Sequence, residues 1–187
     1  MGQCRSREQG GLLTVEDLNE FSVKVEPPEV GRYRDYDVYT CGPWCQGPVV
    51  AQTLQMLADN DLAGLGHNSL DYAHLVSQAL NLSFSDRDRF YGDPDHIEVP
   101  MAGLLSADYT RDRRQGVDMA RAFPEMPEPG NPWAYLGRPG KGGPAKAALA
   151  AVTGFQEQDT SSTCVVDRWG NAFTAASTNH VSVYELA

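Results

Sequence analysis

The chain has 187 residues, of which 41% are hydrophobic and 21% charged, enough for one ordinary domain with a core of its own. Its 25 acidic residues outweigh 15 Lys and Arg, leaving a net charge of -10; nucleic-acid and anionic-membrane surfaces need clustered cations, so neither partner is expected. No apolar run approaches the roughly 20 residues of a membrane span, and no signal-peptide pattern opens the sequence.

Four cysteines, Cys4, Cys41, Cys45 and Cys164, are too few and too spread for a disulfide scaffold. Cys41 and Cys45 bracket Gly-Pro-Trp, which is neither C-x-x-C nor a recurring zinc spacing, and read as two unlinked thiols. His67, His74, His96 and His180 are scattered, so neither a metal site nor a cofactor is expected. Met1-Gly2-Gln3-Cys4-Arg5-Ser6 fits the myristoylation pattern, but a short pattern of this kind assigns no compartment.

In chain order, Thr14 is placed to cap a short helix ending near Phe21. Asp17 completes a capping box, and Leu13 with Leu18 forms a hydrophobic staple. Pro27-Pro28 forbids helix and favours extended chain. Residues 30–33 and 36–40 read as a hairpin turned by Arg34-Asp35, with Val38 and Thr40 on its buried face. The Cys41–Gly47 loop leads into a helix over 48–59, where Val50, Leu54 and Leu57 form the expected apolar stripe. Ser69 caps the best helix, 70–90, with Tyr72, Leu75, Val76, Ala79, Leu80 and Phe84 at core spacing. Asp86-Arg87-Asp88-Arg89 reads as its charged end, and Gly92-Asp93-Pro94-Asp95 as a capping turn. A further short helix spans 106–114, and Arg111 to Arg114 read as its solvated face. Residues 123–158 hold many of the prolines and glycines with little periodicity, the mark of an exposed linker.

After the linker comes Asp159-Thr160-Ser161-Ser162-Thr163-Cys164-Val165-Val166-Asp167. Residues 163–166 and 172–176 read as a hairpin whose turn takes its positive φ from Gly170. A Ser/Thr cluster at such a junction is ordinarily a cap or a turn. It is also where a self-cleaving enzyme would expose a new N-terminal nucleophile, and the residues alone leave both readings open.

Several segments together resemble the γ-glutamyltransferase family. They are Gly10-Gly-Leu-Leu-Thr-Val-Glu-Asp-Leu18, Tyr33-Arg-Asp-Tyr-Asp-Val-Tyr39, Phe84-Ser-Asp-Arg-Asp-Arg-Phe-Tyr-Gly-Asp-Pro-Asp95, Val99-Pro100 and Thr160-Ser-Ser-Thr-Cys-Val-Val-Asp-Arg-Trp-Gly-Asn171. The resemblance implies an α+β chain, an incomplete portion of the four-layer αββα fold of N-terminal-nucleophile hydrolases. Residues 1–9 would be an unstructured N-terminal segment and 10–122 the end of a large-subunit-like region. Residues 123–159 would be a mobile linker before the scissile bond, and 160–187 the start of a small-subunit-like region.

The resemblance further implies self-cleavage between Asp159 and Thr160, giving a heterodimer of large and small subunits. Thr160 would be the nucleophile toward γ-glutamyl substrates of the glutathione type, with water or an amine as acceptor. Thr178 would support its hydroxyl, and Ser161 and Asn179 would contact substrate. Ser161 stands where the family usually has a second threonine, Ser162 replaces a common histidine, and Asn179 falls one position early. The family's carboxylate-gripping arginine and its Gly-Gly oxyanion hole belong to parts outside the matched region, so this chain alone is expected to be inactive. Two alternatives accompany this reading: a non-catalytic remnant or partner-dependent binding fragment, and cephalosporin- or glutaryl-acylase-like specificity.

Overall fold

A computed structural model of the chain describes residues 14–136 and 160–178. The chain divides into two compact units, one formed by Val25–Ala147 and the other by Met1–Lys24 with Ala148–Ala187.

The larger unit opens with an antiparallel hairpin, β1 (Glu29–Tyr33) and β2 (Tyr36–Thr40), with Tyr33 paired to Tyr36 across the turn. Arg34 takes a left-handed φ of 53° there. Helix α2 (Gly47–Leu57) follows with Pro48 in its first turn, where the missing N–H costs nothing. Helix α3 (Leu70–Phe90) begins at Ser69, whose hydroxyl accepts from the Tyr72 amide at 3.1 Å. Its C-terminal turn carries Arg87 and Arg89, which suits the negative end of the helix dipole. A single turn, α4 (Met101–Leu104), then α5 (Ala107–Arg114), capped by Ser106, and a 3₁₀ helix at Pro132–Leu136 complete the unit.

Two apolar clusters hold it together. Met56, Leu57, Leu75, Ala79 and Leu82 join α2 to α3, with Tyr33, Leu65 and Phe123 packed around them. Phe90, Met101, Leu104, Tyr109 and Trp133 form the second. Each such fully buried large side chain contributes roughly 1.5–3 kcal/mol.

Several expectations differ in this unit. The buried face of α2 carries Val49, Gln52, Thr53 and Met56, while Val50 is 54% exposed. Polar residues occupy the core side because they have partners there: the Thr53 hydroxyl donates to Ser83 Oγ at 2.8 Å and the Gln52 amide to Asp86 at 2.6 Å. Asp86 is no solvated helix end; it is fully buried. The first part of the expected linker, 123–136, packs against the helices. The Phe123 amide donates to Gln78 Oε1 at 2.8 Å, and Trp133 is 4% exposed.

In the smaller unit, α1 (Val15–Glu20) carries the expected capping box, with the Asp17 amide donating to Thr14 Oγ1 at 3.2 Å and the Thr14 amide to Asp17 Oδ2 at 2.7 Å. The Thr14 amide first, and then its hydroxyl, which donates to Asp17 Oδ2 at 2.8 Å, hold the Asp17 carboxyl below the usual carboxylate range. Leu13 of the expected staple lies outside the described residues. The second hairpin of the chain, β3 (Thr160–Val166) with β4 (Ala172–Thr178), completes what is described there.

Candidate functional site

The β3–β4 hairpin is longer than the sequence suggests, and its length brings two of the expected site residues together. Its turn is built by Asp167. One carboxylate oxygen accepts from the amides of Trp169 and Asn171, both at 2.9 Å, and the other from the Asn171 side-chain amide at 2.8 Å. These donors, the Asn171 side chain foremost, hold the Asp167 carboxyl below its ordinary range. Gly170 sits at a φ of 84°, which a side chain would strain, although the space around it is open. Beside it the Arg168 guanidinium lies 4.1 Å from the centre of the Trp169 ring.

From this turn the ladder runs without a bulge from Val166–Ala172 through Cys164–Thr174 to Ser161–Ser177 and finally Thr160–Thr178. Directly opposed residues in an antiparallel ladder have Cα atoms roughly 4.5–5.5 Å apart. The end of the hairpin away from the turn therefore presents two successive rungs of hydroxyl residues. Asp159 and Asn179, the neighbours of the last rung, lie outside the described residues.

The larger unit holds a second constellation that sequence reasoning missed. The Asp86 carboxylate receives Gln52 Nε2 at 2.6 Å and Tyr109 Oη at 2.8 Å on one oxygen. Its other oxygen accepts from the Gly130 amide at 2.9 Å and pairs with an Arg113 guanidinium nitrogen at 3.1 Å. Arg113 also donates to the Leu82 carbonyl at 3.3 Å. A charge so enclosed is tolerable because both oxygens are filled by donors and a cation. Arg113 is accordingly mostly buried and not part of a solvated face. Burial, and then the Asp86 charge, push the Tyr109 hydroxyl far above its ordinary range, so it stays a donor. With its acceptor positions occupied, Asp86 is a structural clamp. The one available signal was its position on the core face of α3, beside Leu82, Ser83 and Ser85.

Cys41 and Cys45 are free thiols, as read; burial first, and then the nearby Cys41, push the Cys45 thiol above its ordinary range. The Cys45 thiol donates to the Gly42 carbonyl at 3.4 Å and accepts from the Gly47 amide at 3.3 Å. Among the described residues no group of three or more His, Cys, Asp or Glu could hold a metal ion.

A profile of the family described as Gamma-glutamyltranspeptidase matches residues 4–183. Among curated proteins, the glutathione hydrolase proenzyme of Bacillus subtilis subsp. natto is 29% identical over 170 residues, covering 90% of this chain and 28% of the relative. The Acylase ACY 1 proenzyme of Pseudomonas sp. (strain V22) is also 29% identical over 170 residues, with 90% and 26% covered. Among solved structures, the gamma-glutamyltranspeptidase of Helicobacter pylori superposes with a TM-score of 0.59 at 28% identity, covering 64% of this chain and 35% of that one. The chain thus spans under a third of the length of these curated relatives.

Proposed function

The chain belongs to the gamma-glutamyltranspeptidase family, a family of enzymes, and we propose that it carries the junction at which a proenzyme of this class opens. On this reading the peptide bond between Asp159 and Thr160 is cut by the chain itself, and Thr160 becomes the N-terminal nucleophile for γ-glutamyl transfer or hydrolysis. The observation that supports it most is the pairing of Thr160 with Thr178 at the open end of the hairpin.

A threonine hydroxyl is a weak nucleophile without an adjacent base. In the uncut chain the Thr160 nitrogen is an amide and takes no proton. Once freed, it is an α-amino group with a pKa near roughly 8, able to act as that base. It accepts the hydroxyl proton as Oγ1 bonds to the γ-carbonyl carbon. The amide C–N bond then breaks, and the proton leaves with the departing amine. Water, or the amine of an acceptor, attacks the resulting ester and restores the hydroxyl. Thr178 supports the nucleophile's hydroxyl, and Ser161 and Asn179 contact the γ-glutamyl group. The substrates are of the glutathione type, and the cut chain forms a large- and small-subunit pair.

Expression followed by intact-mass spectrometry tests the reading. It expects a new N-terminus at Thr160, absent from Thr160→Ala; a chain that stays whole in the unsubstituted protein removes the claim. A second reading, acylase specificity on glutaryl amides, is favoured by the identity to the Acylase ACY 1 proenzyme and by Ser162 in place of the family's common histidine. Parallel assays on γ-glutamyl and glutaryl amides separate the two.

A further inference from the structure

Four arginines converge on one cleft in the larger unit. Arg32 and Arg34 come from the β1–β2 hairpin, Arg111 and Arg114 from α5, and with Gln55 and Asp59 they line a space of about 230 Å³. In a chain of net charge -10, so many guanidiniums on one small opening is a local reversal of sign.

Three of the four have carboxylate partners: Arg32 with Asp37 at 2.8 Å, Arg111 with Asp108 at 2.7 Å and Arg114 with Asp59 at 3.2 Å. Of those carboxylates only Asp59 lines the cleft. Arg34 differs: its Nε donates to the Ala58 carbonyl at 3.3 Å and a terminal nitrogen to the Asn60 carbonyl at 2.8 Å. It has no carboxylate partner among the described residues. Main-chain acceptors therefore aim a full positive charge without neutralising it, and the Arg32 Nε donates to the Arg34 carbonyl at 3.1 Å on the same turn. A guanidinium has five N–H donors in a fixed fork, and these contacts leave most of them unspent on all four side chains.

We propose that this cleft binds a compact, multiply charged oxyanion of the phosphate or phosphomonoester class. Planar forks match the oxygen edges of such an anion bidentately, which a single lysine would not do. The space of about 230 Å³ admits a phosphate with a small substituent.

Inorganic phosphate titrated into the 187-residue chain, followed by ³¹P line broadening at ionic strength fixed with sodium chloride, tests the proposal. Saturable binding is expected, weakened roughly tenfold in Arg34→Gln and again in Arg111→Gln. Circular dichroism checks folding. Should Arg34→Gln unfold on losing its two carbonyl contacts, the exposed Arg111→Gln variant decides alone. Broadening that does not saturate, or binding that a folded Arg111→Gln variant retains in full, overturns the proposal. Methyl phosphate tests the ester arm and is expected to compete with the inorganic ion.

Discussion

Thr160 and Thr178 are cross-strand partners, the first residue of β3 set against the last residue of β4. The relationship is fixed from the far end of the hairpin, where Asp167 and Gly170 define the turn and every rung follows in register.

If Thr178 supports the Thr160 hydroxyl, Thr178→Ala slows appearance of the cut chain by roughly 10- to 100-fold, the worth of one charge-assisted hydrogen bond. Thr178→Ser keeps the hydroxyl and is expected to restore most of the rate. A time course by gel and mass spectrometry reads both; equal rates for Ala and Ser remove the assigned role.

Asp86→Ala strands Arg113 and leaves the Gln52, Tyr109 and Gly130 donors without their shared acceptor. Removing one member of a buried ion pair costs about 3–5 kcal/mol. Urea denaturation should show that loss; a change under 1 kcal/mol would contradict the clamp.

Gly103 tolerates no side chain, because a Cβ there would run into the backbone carbonyl of Pro132. Gly103→Ala should push the 3₁₀ helix off the second apolar cluster at a cost of about 1–3 kcal/mol. Limited proteolysis should then cut within 124–136 faster than in the parent chain.

Alkaline pH gives a further test. Burial raises the hydroxyls of both Tyr91 and Tyr109 above the ordinary value of 10.0, with the Asp86 charge as the next cause in each. A group raised in the folded state lends stability that is complete below its unfolded value and lost as pH climbs past it. Stability should therefore hold up to about pH 10 and fall beyond it. Tyrosinate absorbance should show Tyr91 and Tyr109 ionising only with unfolding. Ionisation of either residue in the still-folded chain near pH 10 would contradict the burial argument.

Local signals were legible in the sequence. Thr14 and Ser69 cap the helices they precede because a hydroxyl and an amide three residues on are enough to define an N-terminus. The Gly170 turn was legible because a positive φ is a local demand too, and counting along the hairpin from the resemblance marked Thr178 as the expected support for Thr160. What escaped depends on distant partners. Asp86 draws donors from 34, 23 and 44 positions away, so beyond its place on the core face of α3 nothing in the sequence marks it as a clamp. The burial of Gln52 over Val50 follows from the same clamp, since apolar periodicity cannot see a polar residue with a waiting acceptor. Residues 123–136 look like linker by composition, yet Trp133 and the Gly130 amide dock them. The convergence of Arg32 and Arg34 on Arg111 and Arg114 likewise requires the fold.

The hairpin's turn has one more consequence. A cut ahead of Thr160 falls on the far side of the paired threonines from Gly170, so both remain on one continuous segment. Their alignment is set by counting residues through that segment and owes nothing to the severed bond. Substitutions within the strands would perturb the pair slightly, but adding or deleting a single residue between 164 and 174 would shift every rung. Thr178 would then face a neighbour of Thr160. Chain length across the turn is thus the quantity under the tightest constraint.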